Sequence, residues 1–259
     1  MAHIARKRFG QNFLHDRGVI ARIVAAIDAR PGQELIEIGP GQGAITLPLL
    51  AACGRLQAVE LDRDLLAPLQ AAATGVGELI LHNRDALRLD FCALRQGEHR
   101  LRIVGNLPYN ISTPLLFHLL DQATCIADMH FMLQQEVVER MAAAPGAAAY
   151  GRLSVMLQYR CAVTPLFTIG PGAFRPAPKV ESAFVRLIPH PVPPVTVRDE
   201  QRFAQLVRQA FSQRRKTLRN TLKGLLDAEA IAAAGIDPQI RAEQLDLAAF
   251  ARLANVPVP

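Results

Sequence analysis

Leu35-Ile36-Glu37-Ile38-Gly39-Pro40-Gly41-Gln42-Gly43-Ala44 reads as an apolar strand that runs into a glycine loop and then into a helix. Glycine admits positive φ and lets a backbone approach a ligand closely, and a helix start presents free N–H groups. Glu60 closes the next apolar run, about 20 residues on, where an acid accepts hydrogen bonds from ribose hydroxyls. The spacing Gly39-x-Gly41-x-x-Ala44 also satisfies the dinucleotide pattern GxGxx(G/A). At this point an NAD-dependent oxidoreductase, another nucleotide-cofactor enzyme and a ligand-free tight turn all remain open.

Outward from this stretch, strands and helices alternate. Upstream, Val19, Ile20, Ile23, Val24 and Ile27 recur at helical spacing within Arg17–Ala29, with Asp16 placed to cap the helix. Strands are predicted at 34–38, 56–61, 78–81, 101–104 and 129–133. Helices are predicted at 44–52, 63–73 and 112–120, the last with Pro114 in its tolerant first turn. This alternation predicts an α/β architecture around a mostly parallel sheet. The proline-rich stretch 189–194 reads as a linker, and 201–211, 217–226, 228–234 and 247–253 read as helices. Two domains are therefore expected: an α/β domain over 1–190 and a small basic helical domain over 195–259.

The 259 residues are 50% hydrophobic, enough for a substantial core. No window approaches the ~20 apolar residues of a membrane span, and the N-terminus lacks a secretory apolar stretch. A soluble cytosolic protein is expected. Cys53, Cys92, Cys125 and Cys161 form no CxxC pair and predict four reduced thiols. The histidines show no ligand spacing, so no metal is assigned.

The net charge is +6. Arg198, Arg202, Arg208, Arg214, Arg215, Lys216, Arg219 and Lys223 stand against only Asp199 and Glu200 in one segment, and Arg6, Lys7 and Arg8 form a second basic cluster. Two such clusters favour a polyanion partner, because each neutralised phosphate releases counterions. Arg6, Lys7, Arg8, Arg214, Arg215, Lys216 and Arg219 are the expected phosphate contacts.

A second informative element is Asn106-Leu107-Pro108-Tyr109, which follows the buried run Leu101-Arg102-Ile103-Val104-Gly105. An amide oxygen and a backbone carbonyl can accept hydrogen bonds from an exocyclic amine, and an aromatic ring can stack on the base that carries it. Asp85, after the third strand, can bond a cofactor's adenine amine.

Taken together, the glycine loop, Glu60, Asp85 and the Asn-Leu-Pro-Tyr element occur in the order of class I S-adenosylmethionine-dependent methyltransferases. More closely, the chain resembles the small-subunit ribosomal RNA adenine dimethyltransferases. The resemblance is carried by Arg6-Lys7-Arg8-Phe9-Gly10-Gln11-Asn12-Phe13-Leu14, Glu37-Ile38-Gly39-Pro40-Gly41, Glu60-Leu61-Asp62 and Asn106-Leu107-Pro108-Tyr109-Asn110-Ile111-Ser112. It extends through Tyr150-Gly151-Arg152-Leu153-Ser154, Phe174-Arg175-Pro176-Ala177-Pro178-Lys179-Val180-Glu181-Ser182 and Gln213-Arg214-Arg215-Lys216-Thr217.

The resemblance implies a Rossmann-like catalytic domain with a small all-helical C-terminal domain. It implies S-adenosylmethionine as cofactor, lined by Asn12, Leu14, Gly39, Gly41, Glu60, Asp85 and Asn106. Catalysis would rest on Asn106, Leu107, Pro108 and Tyr109, with Phe174 approaching the second face of the target base. It also implies dimethylation of N6 on two adjacent adenines in the 3′-terminal hairpin loop of 16S rRNA, hence a small-ribosomal-subunit partner and a role in its biogenesis. The protein is expected to act as a monomer. A large-subunit (23S) rRNA methyltransferase of the antibiotic-resistance type and a non-catalytic ribosome-assembly factor are the alternatives.

Overall fold

A computed structural model describes residues 11–257. The chain falls into two compact units: one built from the chain up to Val138 with Thr164–Pro189, the other from Glu139–Val163 with the chain from His190 onward.

In the first unit, a short strand β1 (Phe13–Leu14) precedes helix α1 (Arg17–Ile27). Asp16 caps α1 by accepting the Val19 N–H at 2.9 Å, and Ile23 and Ile27 turn inward. Then follow β2 (Glu34–Ile38), α2 (Thr46–Cys53), β3 (Arg55–Val59), α3 (Leu66–Ala72), β4 (Glu78–His82), β5 (Leu101–Asn106), α4 (Ser112–Leu120) and β6 (Ile126–Gln134). The chain then enters the second unit through α5 (Gln135–Ala142) and α6 (Arg152–Arg160) and returns along β7 (Cys161–Ile169) to β8 (Phe174–Arg175) and β9 (Ser182–Pro189) of the first. The strands at 34–38, 56–61, 78–81, 101–104 and 129–133 are present with ends shifted by a few residues. Helices α5 and α6 and strands β7 and β9 lie where no element was predicted.

The main sheet runs β4-β3-β2-β5-β6-β9-β7. Strands β2 to β6 pair in parallel, and β9 runs antiparallel to β6, with Gln134 opposite Ser182. Parallel strands covered on both faces are apolar along their length, and in β2 all but the first residue are buried. The chain reverses its direction of travel across the sheet between β4 and β5, so β2 and β5 flank a topological switch point, the usual place for a ligand in such sheets.

One buried charge cluster ties this unit together. Arg102 of β5 grips Asp128 of β6 through two hydrogen bonds, 2.9 and 3.0 Å, and donates to the Ile27 carbonyl at the end of α1, 2.6 Å. His130, two residues along β6, is buried against Phe184. Neither of its ring nitrogens has a hydrogen-bond partner among the described residues. Burial pushes its pKa down to about 4.

The cysteine expectation is corrected. Cys92 and Cys125 form a disulfide, while Cys53 and Cys161 are free and buried. The partners are 33 residues apart and share no motif. Two 3-10 turns, Cys92–Leu94 and Ala123–Cys125, bring them to a Cα separation of 5.6 Å.

The second unit contains α7 (Glu200–Ala210), α8 (Leu218–Thr221), α9 (Ala228–Ala233) and α10 (Leu247–Ala254). Asp199, Asp227 and Asp246 cap α7, α9 and α10. Phe203, Phe250, Leu253, Leu218 and Tyr150 share its core. The helix predicted over 217–226 is only one turn long, and Gly224 soon after it is left-handed at φ 92°. This unit takes in Glu139–Val163 as well as the C-terminal helices, so the chain passes between units more than once.

Candidate active site

The glycine loop follows β2 with Gly39, Gly41 and Gly43 all at positive φ (69°, 57° and 84°). A Cβ on Gly41 would lie 3.2 Å from the Phe13 ring, so the missing side chain is what lets the loop pass under the N-terminal segment. The loop is pinned to β3, whose Val59 carbonyl accepts the Gly39 N–H at 2.9 Å.

Glu60, at the end of β3, is 8% exposed. One carboxylate oxygen accepts the Gly41 N–H (3.3 Å) and the other the Asp62 N–H (2.8 Å). Each oxygen keeps a second lone pair for a ligand hydroxyl. Burial, the largest cause, raises its pKa. Asp85 caps the 3-10 turn Ala86–Arg88 through the Leu87 N–H at 3.0 Å.

Glu37 carried no role of its own in the sequence. It is 1% exposed, and its Oε2 has no hydrogen-bond partner among the described residues. Burial, with Glu60 adding to it, pushes its pKa up to about 8. An acid set between Ile36 and Ile38, in the buried part of the strand, is the signal that could have found it.

Asn106 ends β5. Its amide nitrogen donates to the Asn12 carbonyl at 3.1 Å, which turns the amide oxygen into the unused end of the group. Gln11 donates to Asp62 at 3.0 Å, and Leu14 pairs with Phe174 across the β1–β8 ladder. Residues 11–14 are thus tied at three points beside the glycine loop. The Leu107 N–H donates to the Met132 carbonyl of β6 at 3.1 Å, while the Leu107 carbonyl accepts no hydrogen bond among the described residues. Tyr109 is half-buried and shares a 2.7 Å hydrogen bond with Ser182. Burial holds its phenol above the ordinary value.

Asn12, Leu14, Gly39, Gly41, Glu60 and Asp85 line one cavity, and Asn106, Leu107, Pro108 and Tyr109 line the same one. Leu61, an apolar residue 51% exposed, lies on its wall as well. Phe174 is the exception and a correction. It is 2% exposed, packs in the core with Leu14 and Phe184, and does not line the cavity. Its place opposite Leu14 in a two-residue ladder turns the ring inward.

The cavity joins a nucleotide-type glycine loop and ribose-type acid to two hydrogen-bond acceptors beside an aromatic ring. The family model described as ribosomal RNA adenine dimethylase matches residues 2–257. The chain belongs to the ribosomal RNA adenine dimethylase family. Among relatives of this dimethylase, the ribosomal RNA small subunit methyltransferase A of Pseudomonas aeruginosa is 61% identical over 253 residues, covering 98% of this chain and 94% of that protein. The protein of the same name from Xanthomonas campestris is 59% identical over 252 residues, 97% of this chain and 96% of that one.

Among solved structures, a dimethyladenosine transferase from Plasmodium falciparum superposes with a TM-score of 0.80 at 24% identity, over 93% of this chain and 95% of that one. The 23S rRNA methyltransferase ErmE does so with a TM-score of 0.74 at 25% identity, over 94% and 98%. These two likenesses identify the dimethylase's fold as that of a class I methyltransferase, Rossmann-like with a mostly parallel sheet.

In the second unit of the dimethylase, Arg214, Arg215, Lys216 and Arg219 are exposed around α8. Arg214 donates to the Ala148 carbonyl at 2.6 Å and lies 3.9 Å from Glu243. Arg215, Lys216 and Arg219 make no ion pair among the described residues. Arg6, Lys7 and Arg8 lie outside the described residues. Among the described residues, no helix is long and apolar enough to cross a membrane, and no cluster of His, Cys, Asp or Glu is arranged to hold a metal ion.

Proposed function

We propose that this protein uses S-adenosylmethionine to dimethylate N6 of two adjacent adenines in the 3′-terminal hairpin loop of 16S rRNA, acting on the small ribosomal subunit in the cytoplasm. Relatives at 61% and 59% identity carry the small-subunit name, whereas the 23S rRNA methyltransferase ErmE shares 25%. That gap favours the small subunit.

S-adenosylmethionine, when bound, supplies an electrophilic methyl group on a sulfonium. The residues present fit it. The positive-φ glycine loop leaves backbone room. Glu60 keeps lone pairs for ribose hydroxyls, and Asp85, Leu61, Asn12 and Leu14 stand on the same wall.

The observation that carries the catalytic reading is the pair of unused acceptors at Asn106 and Leu107. An adenine N6 amine is a poor nucleophile because its lone pair is delocalised into the ring. With the Asn106 amide oxygen and the Leu107 carbonyl accepting its two N–H groups, the nitrogen is held towards pyramidal geometry. Pro108 sets the turn between the two acceptors and the ring. Tyr109 stacks on the base, an interaction worth ~1–3 kcal/mol. No base of high strength is required, and orientation supplies the acceleration. The target adenine must leave its stack or already lie in a loop. Arg6, Lys7, Arg8, Arg214, Arg215, Lys216 and Arg219 would grip phosphates, which position the RNA without reading its sequence.

The test is labelled-methyl transfer to undermethylated small subunits, with large subunits as control. Asn106→Ala is expected to keep RNA affinity and lose roughly 100-fold or more in turnover. Unimpaired turnover, or equal labelling of large subunits, would overturn the reading.

A further inference from the structure

Asn106 to Tyr109 is held from three separate segments of the chain. Asn106 is tied to the N-terminal segment through the Asn12 carbonyl, 3.1 Å. Leu107 is tied to β6 through the Met132 carbonyl, 3.1 Å. Tyr109 is tied to β9 through Ser182, 2.7 Å. The last tie differs in kind. The first two fix an amide and a backbone, whereas the third reaches the far end of an aromatic side chain.

Ser182 is fully buried, at 0% exposure, and is the first residue of β9. Its register is set by antiparallel pairing, with Ser182 opposite Gln134 and Phe184 opposite Met132. Gln135, next in line, donates its N–H to the Glu181 carbonyl at 3.0 Å. The serine hydroxyl is therefore placed by the same strand pair that receives the Leu107 N–H. The backbone of Tyr109 has its own restraint: its carbonyl accepts the Ser112 hydroxyl at 3.1 Å. Loss of the Ser182 hydroxyl would release the ring and leave the tetrapeptide backbone anchored.

We propose that Ser182 is a positioning residue for methyl transfer, its buried hydroxyl holding the Tyr109 ring at the angle at which the target adenine stacks on it. This rests on the reading of Tyr109 as the stacking face. A phenol ring on two free torsions sweeps a wide arc, and a hydrogen bond at its tip removes most of that freedom. A base laid on a fixed ring presents its exocyclic amine at a fixed place relative to Asn106 and Leu107, whereas a base on a swinging ring does not. The effect belongs in turnover and not in cofactor binding, because Ser182 is absent from the cavity wall that holds the glycine loop and Glu60.

The experiment is a double-mutant cycle with Tyr109→Phe, Ser182→Ala and the double variant, all in the full-length protein. Rates are measured on undermethylated small subunits and normalised to the concentration of protein that binds S-adenosylmethionine by calorimetry, so that unfolded material does not count. Each single variant is expected to lose roughly three- to tenfold in kcat, the worth of one hydrogen bond. The double variant is expected to be no slower than the slower single, the mark of two groups acting through one shared interaction. The KM for S-adenosylmethionine is expected to stay within twofold. Ser182→Thr, which keeps the hydroxyl, is expected to recover more activity than Ser182→Ala.

Losses that multiply in the double variant, or full turnover in Ser182→Ala, would overturn the positioning role. Tyr109→Ala separates the two layers. If it keeps full turnover, the stacking reading itself falls. If it is impaired while Ser182→Ala is not, only the role of Ser182 falls.

Discussion

Gly105 is the residue on which the strongest single prediction rests. It stands in β5 immediately before Asn106, paired with Ile38 of β2 on one side and Phe131 of β6 on the other. A Cβ added there would lie 2.4 Å from the Ile38 carbonyl oxygen and 3.3 Å from Leu107 Cδ2. Carbon–oxygen approaches of this kind settle near 3.3–3.6 Å, so Gly105→Ala demands a separation of roughly 1 Å between two buried strands. Neither side yields readily, because the obstructing atom is backbone and Ile38 leads straight into Gly39.

Overpacking of this sort costs about 1–3 kcal/mol, which for a protein of this size lowers the melting temperature by roughly 2–4 °C per kcal/mol. The consequence for the site is larger. Asn106 is bonded to the displaced residue, and misplacement by about 1 Å can cost on the order of 100-fold in rate.

Calorimetric melting and labelled-methyl transfer, normalised to cofactor-binding protein, measure the two effects separately. Gly170→Ala is the matched control: its φ is −70° and an added Cβ meets nothing within 4 Å. It is expected to stay within about 0.5 kcal/mol of the parent at full turnover. Gly105→Ala with an unchanged melting temperature would refute the steric reasoning. A lowered melting temperature with undiminished turnover would show that the strain stays in the sheet and does not reach Asn106.

Two further outcomes follow from other parts of the structure. His130 has a folded pKa pushed down to about 4, below its ordinary value near 6.5, so the unfolded chain binds the extra proton between these values and stability falls as pH drops through that window, by up to about 1.4 kcal/mol per pH unit. His130→Met should flatten that part of the profile in urea titrations at pH 7 and pH 5; the same slope in both proteins would refute the assignment. Replacing Arg214 and Arg215 together with alanine should weaken RNA binding and lower the slope of log affinity against log salt by about 0.7–0.9 for each phosphate no longer neutralised, and an unchanged slope would remove these residues from the RNA interface.

The half of the site built from local chain geometry was legible in the sequence. A strand, a glycine loop and a helix start form one continuous segment, and Glu60 and Asn106 each end an apolar run, so Gly39, Gly41, Glu60 and Asn106 declare themselves by position. Residues set by distant pairing do not. Ser182 meets Tyr109 only because β9 reverses against β6. No residue pattern announces that register. Phe174 shows the opposite failure: the motif around it is recognisable, yet its burial depends on a two-residue ladder with Leu14. The Cys92–Cys125 disulfide was illegible for a related reason, since two short 3-10 turns far apart in the chain decide it.

The proposed mechanism also accounts for an amide, and not a carboxylate, at position 106. The group has two duties that pull in opposite chemical directions. It donates to the Asn12 carbonyl, which fixes both the side chain and the N-terminal segment on the cavity wall, and in the proposed mechanism its oxygen accepts from the amine of the base. Aspartate can accept but, once ionised, has nothing to donate. It would leave the Asn12 carbonyl without this donor and add a further carboxyl group to a cavity already lined by Glu37, Glu60 and Asp85. Glu37 already has its pKa pushed up to about 8, chiefly by burial and in part by the charge of Glu60. A further carboxylate would itself be driven towards protonation; it would then offer one donor and one acceptor, but only while it held its proton, so its function would depend on pH where that of an amide does not. In that mechanism asparagine would perform both duties without charge, its orientation already set by the Asn12 carbonyl.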